Sequence, residues 1–268
     1  MDRQIFWHRV ARHTPLALLL DMDGTLIPLA ATPAEARPGP EVRELLARLA
    51  ATPGVTCAVV SGRPRDALDE LLGDVPALRL VAEHGMWRNS GAGWEATAAV
   101  EPEILDRLQA MLAPLVEAES GALFERKSAS LCVHYRLVTG PGREAFLTGA
   151  AALIRQWLSA QPDYEVMDAA EAMEVRERHI HKGSAVAWVR QQAPDLVCVA
   201  AGDDVTDEDT FAALGSGDAA ILVGDRVRSA AARWRLADPR TVCAFLDALL
   251  EARRGGEIPG ELLPEPIP

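Results

Sequence analysis

The chain has 268 residues, 49% hydrophobic, 5% aromatic and 25% charged, with a formal net charge of −12. A negative surface without a dense Lys/Arg tract excludes nucleic acid as an expected partner. The longest apolar run, Leu16–Leu20, is far shorter than the roughly 20 residues that cross a bilayer, so no membrane is expected either.

Met1–Thr14 is polar and mixed in charge, unlike the apolar core of a signal peptide. Leu16–Leu20 then reads as a strand buried on both faces. After a Pro-rich loop, Val42, Leu45, Leu46 and Leu49 mark a helix over 41–51, followed by a strand at 55–60, a helix at 64–72 and a strand at 78–82. From 102 the pattern changes. Two amphipathic helices, 102–119 and 142–160, stand among hairpin-like segments at 122–127, 131–137, 163–167 and 173–176, which suggests a small α+β unit with an antiparallel sheet. Alternation then resumes, with helices at 183–192, 207–214 and 241–253 and strands at 196–200 and 219–223.

The fold class expected is therefore α/β: a doubly wound, mostly parallel, Rossmann-like sheet core (1–100 and 178–268) with an inserted α+β cap (101–177). Residues 255–268, rich in Gly and Pro, read as a loosely attached tail. Cys57, Cys132, Cys198 and Cys243 form no CxxC pair and read as small core residues of a reducing compartment. A cytoplasmic monomer is expected.

Four segments carry chemistry. Asp21-Met22-Asp23-Gly24-Thr25 brings two carboxylates to the C-terminal end of a buried strand, where open α/β sheets bind ligands. Such carboxylates need a cation or hydrogen bonds to offset their desolvation. The Asp-x-Asp-Gly run could also be a plain turn. A calcium loop is rejected, because its sixth and twelfth positions would be Leu26 and Thr32. Ser61-Gly62-Arg63 follows the second strand. Ser61 could bond a phosphoryl oxygen, although such loops are common as simple turns. Lys182 opens a helix, where an ammonium opposes the macrodipole unless an anion lies nearby. Asp203-Asp204-Val205-Thr206-Asp207-Glu208-Asp209 holds five acids in seven residues after another strand. Thr206 and the acids after it suit a helix N-cap, which leaves Asp203 and Asp204 to a hard divalent cation.

Together, and in this order, the four segments resemble the motifs of the haloacid-dehalogenase-like phosphatases. The resemblance implies Asp21 as nucleophile, Asp23 as general acid/base, and Ser61 and Lys182 gripping the phosphoryl group. Mg²⁺ would be held by Asp21, the Asp23 carbonyl and Asp203, with Asp204 or Asp207 close by. Glu83-His84-Gly85, the segment from Glu125-Arg126-Lys127 to His134-Tyr135-Arg136, and Met173-Glu174-Val175-Arg176 are similar to the trehalose-6-phosphate phosphatase branch. By that likeness a small sugar phosphate is the partner. Its contacts would be Gly24, Thr25, Gly62, Arg63, Glu83, His84, Glu125, Lys127, His134, Arg136 and Glu174. Glu177 departs from the family's frequent Pro. Rival readings are a phosphatase for sucrose 6-phosphate or mannosylglycerate phosphate, a phosphomutase, and an inactive sugar-phosphate sensor.

Overall fold

The computed structural model describes residues 2–30, 32, 34–169, 171–193, 195–225 and 229–267. In chain order its elements begin α1 (Arg3–Arg12), β1 (Leu16–Leu20), α2 (Pro40–Ala50), β2 (Val55–Val60), α3 (Arg65–Leu72), β3 (Arg79–Ala82), β4 (Trp87–Asn89) and β5 (Trp94–Ala96). Next come α4 (Pro102–Ala118), β6 (Leu123–Arg126), β7 (Ser130–His134), α5 (Arg143–Leu158), β8 (Tyr164–Ala169) and β9 (Ala172–Glu177). The last are α6 (Ser184–Arg190), β10 (Val197–Gly202), α7 (Glu208–Ala212), β11 (Ala219–Val223), β12 (Trp234–Leu236), α8 (Pro239–Arg253) and β13 (Glu265–Pro266). They form two compact units, one from the residues up to Glu95 with those from His181 onward, the other Ala96–Ile180.

The first unit is built on a nine-stranded sheet of order β13-β12-β11-β10-β1-β2-β3-β4-β5. From β12 to β3 neighbouring strands are parallel, while β13 and β4 pair antiparallel to β12 and β3. All five residues of β1 are buried, because both faces of the sheet are covered. Strand alternation sorts the core into two layers. Leu16, Leu18, Leu20, Val59, Val199 and Ile221 pack with residues of α1, α2, α3 and α8. Ala17, Leu19, Val60, Cys198 and Leu222 pack with residues of α6 and α7. The doubly wound reading is thus met, and its helices 40–50 and 239–253 lie within a residue or two of expectation.

Strands β4, β5 and β12 are absent from the sequence reading, and two longer parts also differ from it. Arg3–Arg12 is a helix, capped by the Asp2 side chain accepting from the Ile5 amide, and it buries Phe6, Trp7, Val10 and Ala11. Trp7 meets Phe6, Trp234 and Phe245 with ring centroids 5.0–5.2 Å apart. The segment expected as a loose tail is packed as far as it is described. Ile258 and Leu263 are buried, Arg3 and Gln4 donate to the Gly260 and Ile258 carbonyls, and β13 adds an edge strand. Apolar residues spaced between the prolines supply the anchoring, and an edge strand tolerates Pro266. Residue 268 lies outside the described residues.

The second unit is a four-stranded antiparallel sheet of order β6-β7-β9-β8. Leu131, Val133, Met173 and Val175 join Leu105, Leu108, Leu112, Phe146 and Ile154 of α4 and α5 in its core. Alternation therefore turns Ser130, Cys132, His134 and Glu174 to the opposite face.

Candidate active site

Parallel β1, β2 and β10 bring Asp21, Ser61 and Asp203 to the same edge of the sheet. The Asp21 amide still donates to the Ala201 carbonyl at 2.9 Å, so the ladder fixes its backbone before the chain turns. Gly24 follows at φ +88°, and a Cβ there would stand 2.2 Å from Asp203 Oδ2. A Cβ on Gly202 would lie 2.1 Å from the Asp207 carboxyl carbon. These two glycines make room for the carboxylates.

Asp21, Asp203 and Asp207 are all buried and offer oxygens within 4.8 Å of one another. Lys182, 3% exposed, donates from Nζ to Asp21 Oδ1 at 2.7 Å and to Asp207 Oδ1 at 2.8 Å. Burial pushes the Asp21 carboxyl well above its ordinary range. Lys182 opposes the shift, and Asp207 and Asp203 add to it. Burial works to neutralise Lys182, but Asp207 and Asp21 outweigh it and hold the ammonium charged. Three buried carboxylates thus gather around a site where Lys182 meets two of them, Asp21 and Asp207. Oxygen ligands in this arrangement fit a hard divalent cation of the Mg²⁺ kind.

Asp23 takes no part in that cluster. Its carboxylate receives a two-pronged contact from Arg63, Nε at 2.7 Å and Nη2 at 2.6 Å, and Arg63 also donates to the Ala36 carbonyl. Arg63, expected against the substrate, instead holds the side chain expected to act as acid. Asp204 is also spent elsewhere. It accepts from the Val205 amide as the cap of a short turn, while its own amide donates to Asp207 Oδ2 at 3.0 Å. Capping therefore falls to Asp204 rather than Thr206, and Asp207 joins the buried cluster.

Ser61 is buried and its Oγ accepts from the Arg63 amide at 3.2 Å, which leaves the hydroxyl proton to donate. The amides of Glu83 and His84 donate to the Arg63 and Ser61 carbonyls, at positive φ of 49° and 58°, and so brace this loop. A Cβ on Gly62 would lie 2.5 Å from the His84 ring, which explains the glycine. The Gly24 amide donates to Ile27 at 2.7 Å and the Thr25 amide to Met22 at 3.4 Å, so both serve their own turn. The Thr25 hydroxyl reaches toward Asp203 at 3.5 Å.

In the second unit, Glu125, Lys127, His134 and Glu174 fall on one sheet face. Glu125 stands opposite Cys132, and Cys132 opposite Glu174. Glu174 accepts from Lys127 at 3.0 Å and from the Ser130 hydroxyl at 2.6 Å, and His134 Nε2 lies 2.7 Å from Glu125. The His134 hydrogen bond holds the Glu125 carboxyl below its ordinary value. Arg136 stands apart, with Nε 3.5 Å from Glu171. The sequence reading missed Ser130 and Cys132 here. Their signal was the alternation of 130–134, polar or small residues taking turns with Leu131 and Val133.

A family model described as trehalose-phosphatase matches residues 19–239. A bifunctional trehalose-6-phosphate synthase/phosphatase of Thermoproteus tenax is 33% identical over 87% of this chain. The chain spans only 31% of that protein and 30% of the trehalose-phosphatase of Schizosaccharomyces pombe. A probable trehalose-phosphate phosphatase of Sinorhizobium fredii is 32% identical, with 87% of each chain covered. Among solved structures, the C-terminal domain of a C. albicans trehalose-6-phosphate phosphatase superposes with a TM-score of 0.81 at 24% identity, over 94% of this chain and 98% of that one. Among the described residues no helix is long and apolar enough to cross a membrane.

Proposed function

Because this chain belongs to the trehalose-phosphatase family, we propose that it hydrolyses trehalose 6-phosphate to trehalose and phosphate through an aspartyl phosphate on Asp21. The observation that carries the reading is the buried set of Asp21, Asp203 and Asp207 around Lys182 at the C-terminal edge of the parallel sheet. Phosphate monoesters are among the slowest substrates to react unaided, with enzymatic accelerations up to ~10²¹, and a carboxylate nucleophile is repelled by the dianion it attacks. Mg²⁺, held by Asp21, Asp203, Asp207 and the Asp23 carbonyl, would neutralise that charge on the phosphoryl oxygens and free Asp21 from its raised proton affinity.

The remaining work falls to side chains. An Asp21 oxygen attacks phosphorus as the sugar oxygen leaves, and Asp23 supplies the proton that the alkoxide needs. Lys182, charged because of its acidic neighbours, offers N–H donors to the phosphoryl group, and Ser61 Oγ–H offers another. Asp23, now deprotonated, then takes a proton from the water that opens the aspartyl phosphate. Arg63 orients Asp23 through both carboxylate oxygens, so Asp23 carries a proton for the alkoxide only once one of those contacts opens. Glu125, Lys127, His134 and Glu174 are read as the groups that bind sugar hydroxyls, supported by their alternating donors and acceptors on one face. Arg136, engaged with Glu171, is left as an outlying contact.

The test is phosphate release from trehalose 6-phosphate, sucrose 6-phosphate, glucose 6-phosphate and an aryl phosphate, with Mg²⁺ or chelator and with Asp21→Asn as blank. Turnover of trehalose 6-phosphate alone supports the reading in full. Turnover of another ester alone keeps the chemistry and rejects the sugar. Absence of turnover on all four rejects the phosphatase.

A further inference from the structure

The second unit holds a group of ligands that the phosphatase reading does not use as such. Glu125, Cys132 and His134 offer a carboxylate oxygen, a sulfur and an imidazole nitrogen, all within 4.8 Å of one another. They arise from local strand geometry. Glu125 and Cys132 are directly opposed in the β6–β7 register, and His134 lies two residues beyond Cys132 on the same face. Cys132 is 2% exposed, whereas the His134 and Glu125 side chains are 37% and 33% exposed, so the sulfur forms the floor and the other two the rim.

This donor set differs in kind from the oxygen cluster in the first unit. One thiol, one imidazole and one carboxylate suit a borderline-soft ion and suit Mg²⁺ poorly. We propose that Glu125, Cys132 and His134 are three ligands of a Zn²⁺-class divalent cation, bound in competition with the sugar that the same face is read to recognise. The competitive half rests on the proposed function; the binding half does not. In a tetrahedral site with metal–ligand bonds of 2.0–2.3 Å, ligand atoms stand about 3.3–3.8 Å apart. The 2.7 Å separation of Glu125 and His134 would therefore open by about half an ångström as the cation replaces the proton they share.

Burial, with Glu174 and Glu125 beside it and Lys127 opposing, pushes the Cys132 thiol up to about 12. Sulfur ligation must therefore expel that proton: Cys–SH and M²⁺ give Cys–S⁻ bound to M²⁺ and one H⁺. The Lys127 ammonium, held by Glu174 at 3.0 Å, acts on Cys132 as an opposing positive charge and weakens the site, while the Glu174 carboxylate offsets it.

The probe is Co²⁺ added to the full chain in excess Mg²⁺, read by the near-ultraviolet thiolate-to-cobalt absorption and competed by Zn²⁺. The expected result is one such band, abolished in Cys132→Ser and weakened about 100-fold or more in affinity in His134→Ala. Cys132→Ser should keep Mg²⁺-dependent turnover of the aryl phosphate, with a metal-free stability lower only by the small amount that a buried hydroxyl costs. In wild type, Zn²⁺ should raise KM for the sugar ester and leave the aryl phosphate unchanged. Inhibition of both esters, undiminished in Cys132→Ser, would instead place Zn²⁺ among Asp21, Asp203 and Asp207 and overturn the competitive half. A wild-type protein without the band, or a band that survives Cys132→Ser, overturns the site itself. The band needs no turnover, so failure of the site and failure of the phosphatase reading remain distinguishable.

Discussion

The two polar clusters of this protein are solved in opposite ways. In the first unit, three carboxylates are buried together at the ends of parallel strands, and one ammonium, Lys182, bonds two of them. In the second, Glu125 and Glu174 meet His134 and Lys127 in cross-strand pairs along a sheet face. A cluster with surplus charge is incomplete and calls for a cation from outside. A cluster whose carboxylates already meet cross-face partners presents donors and acceptors suited to a neutral ligand, and takes a cation only where Cys132 gives up its proton.

The sharpest way to break this contrast is to remove Asp21, the proposed nucleophile. Asp21→Asn keeps the shape of the first cluster and should lower phosphate release by at least about 10⁴-fold, measured at saturating substrate. Lys182→Met acts on the charge balance itself. It leaves Asp21 and Asp207 buried against each other, and should destabilise the chain by about 3–5 kcal/mol in denaturant unfolding, with Mg²⁺ restoring part of the loss. If the variant instead matched wild type, the surplus-charge account would be wrong.

A milder change separates the units. Glu174→Gln keeps size and removes the charge that meets Lys127, so KM for trehalose 6-phosphate should rise about 10–100-fold while aryl phosphate turnover stays level. Equal losses on both esters would contradict a hydroxyl-reading role. Saturating Mg²⁺ should likewise raise the unfolding midpoint of wild type, by about 2.7 kcal/mol of stabilisation at a hundredfold excess over Kd, and chelator should reverse it. The smallest effect concerns acid. Glu125 has a lowered folded value, so its pairing with His134 favours the folded state above about 4.5 and is lost as pH falls through that lowered value. Glu125→Gln should therefore show a shallower decline of unfolding midpoint from about pH 5 to pH 3 than wild type.

Much of this was legible in the residues. The unbroken apolar run Leu16–Leu20 reads as a strand buried on both faces, and the acids placed just after it mark the strand-end edge where the proposed site lies. Pairing of side chains was not legible, because it depends on which strands become neighbours. Nothing near Asp23 in sequence announces Arg63, 40 residues away, as its partner. Asp207, read from its position as helix-cap chemistry and from the resemblance as a neighbour of the metal, lies in the buried cluster, while Asp204 performs the capping. Helix α1 was obscured by its many charges, although Phe6, Trp7, Val10 and Ala11 mark one face of it.

The joining of Arg3 and Gln4 to the carbonyls of Gly260 and Ile258 bears on how the chain is made. The central strand β1 needs β10, about 180 residues later, before its second edge is satisfied, and the first helix needs the last segment. The second unit is one unbroken stretch, Ala96–Ile180. As the polypeptide emerges from the ribosome, that stretch can complete its own contacts while the sheet on which the chemistry depends is still half assembled. A truncation of only the last dozen residues should therefore leave the second unit intact and the first unit unsealed, a vulnerability that limited proteolysis of nascent chains would expose.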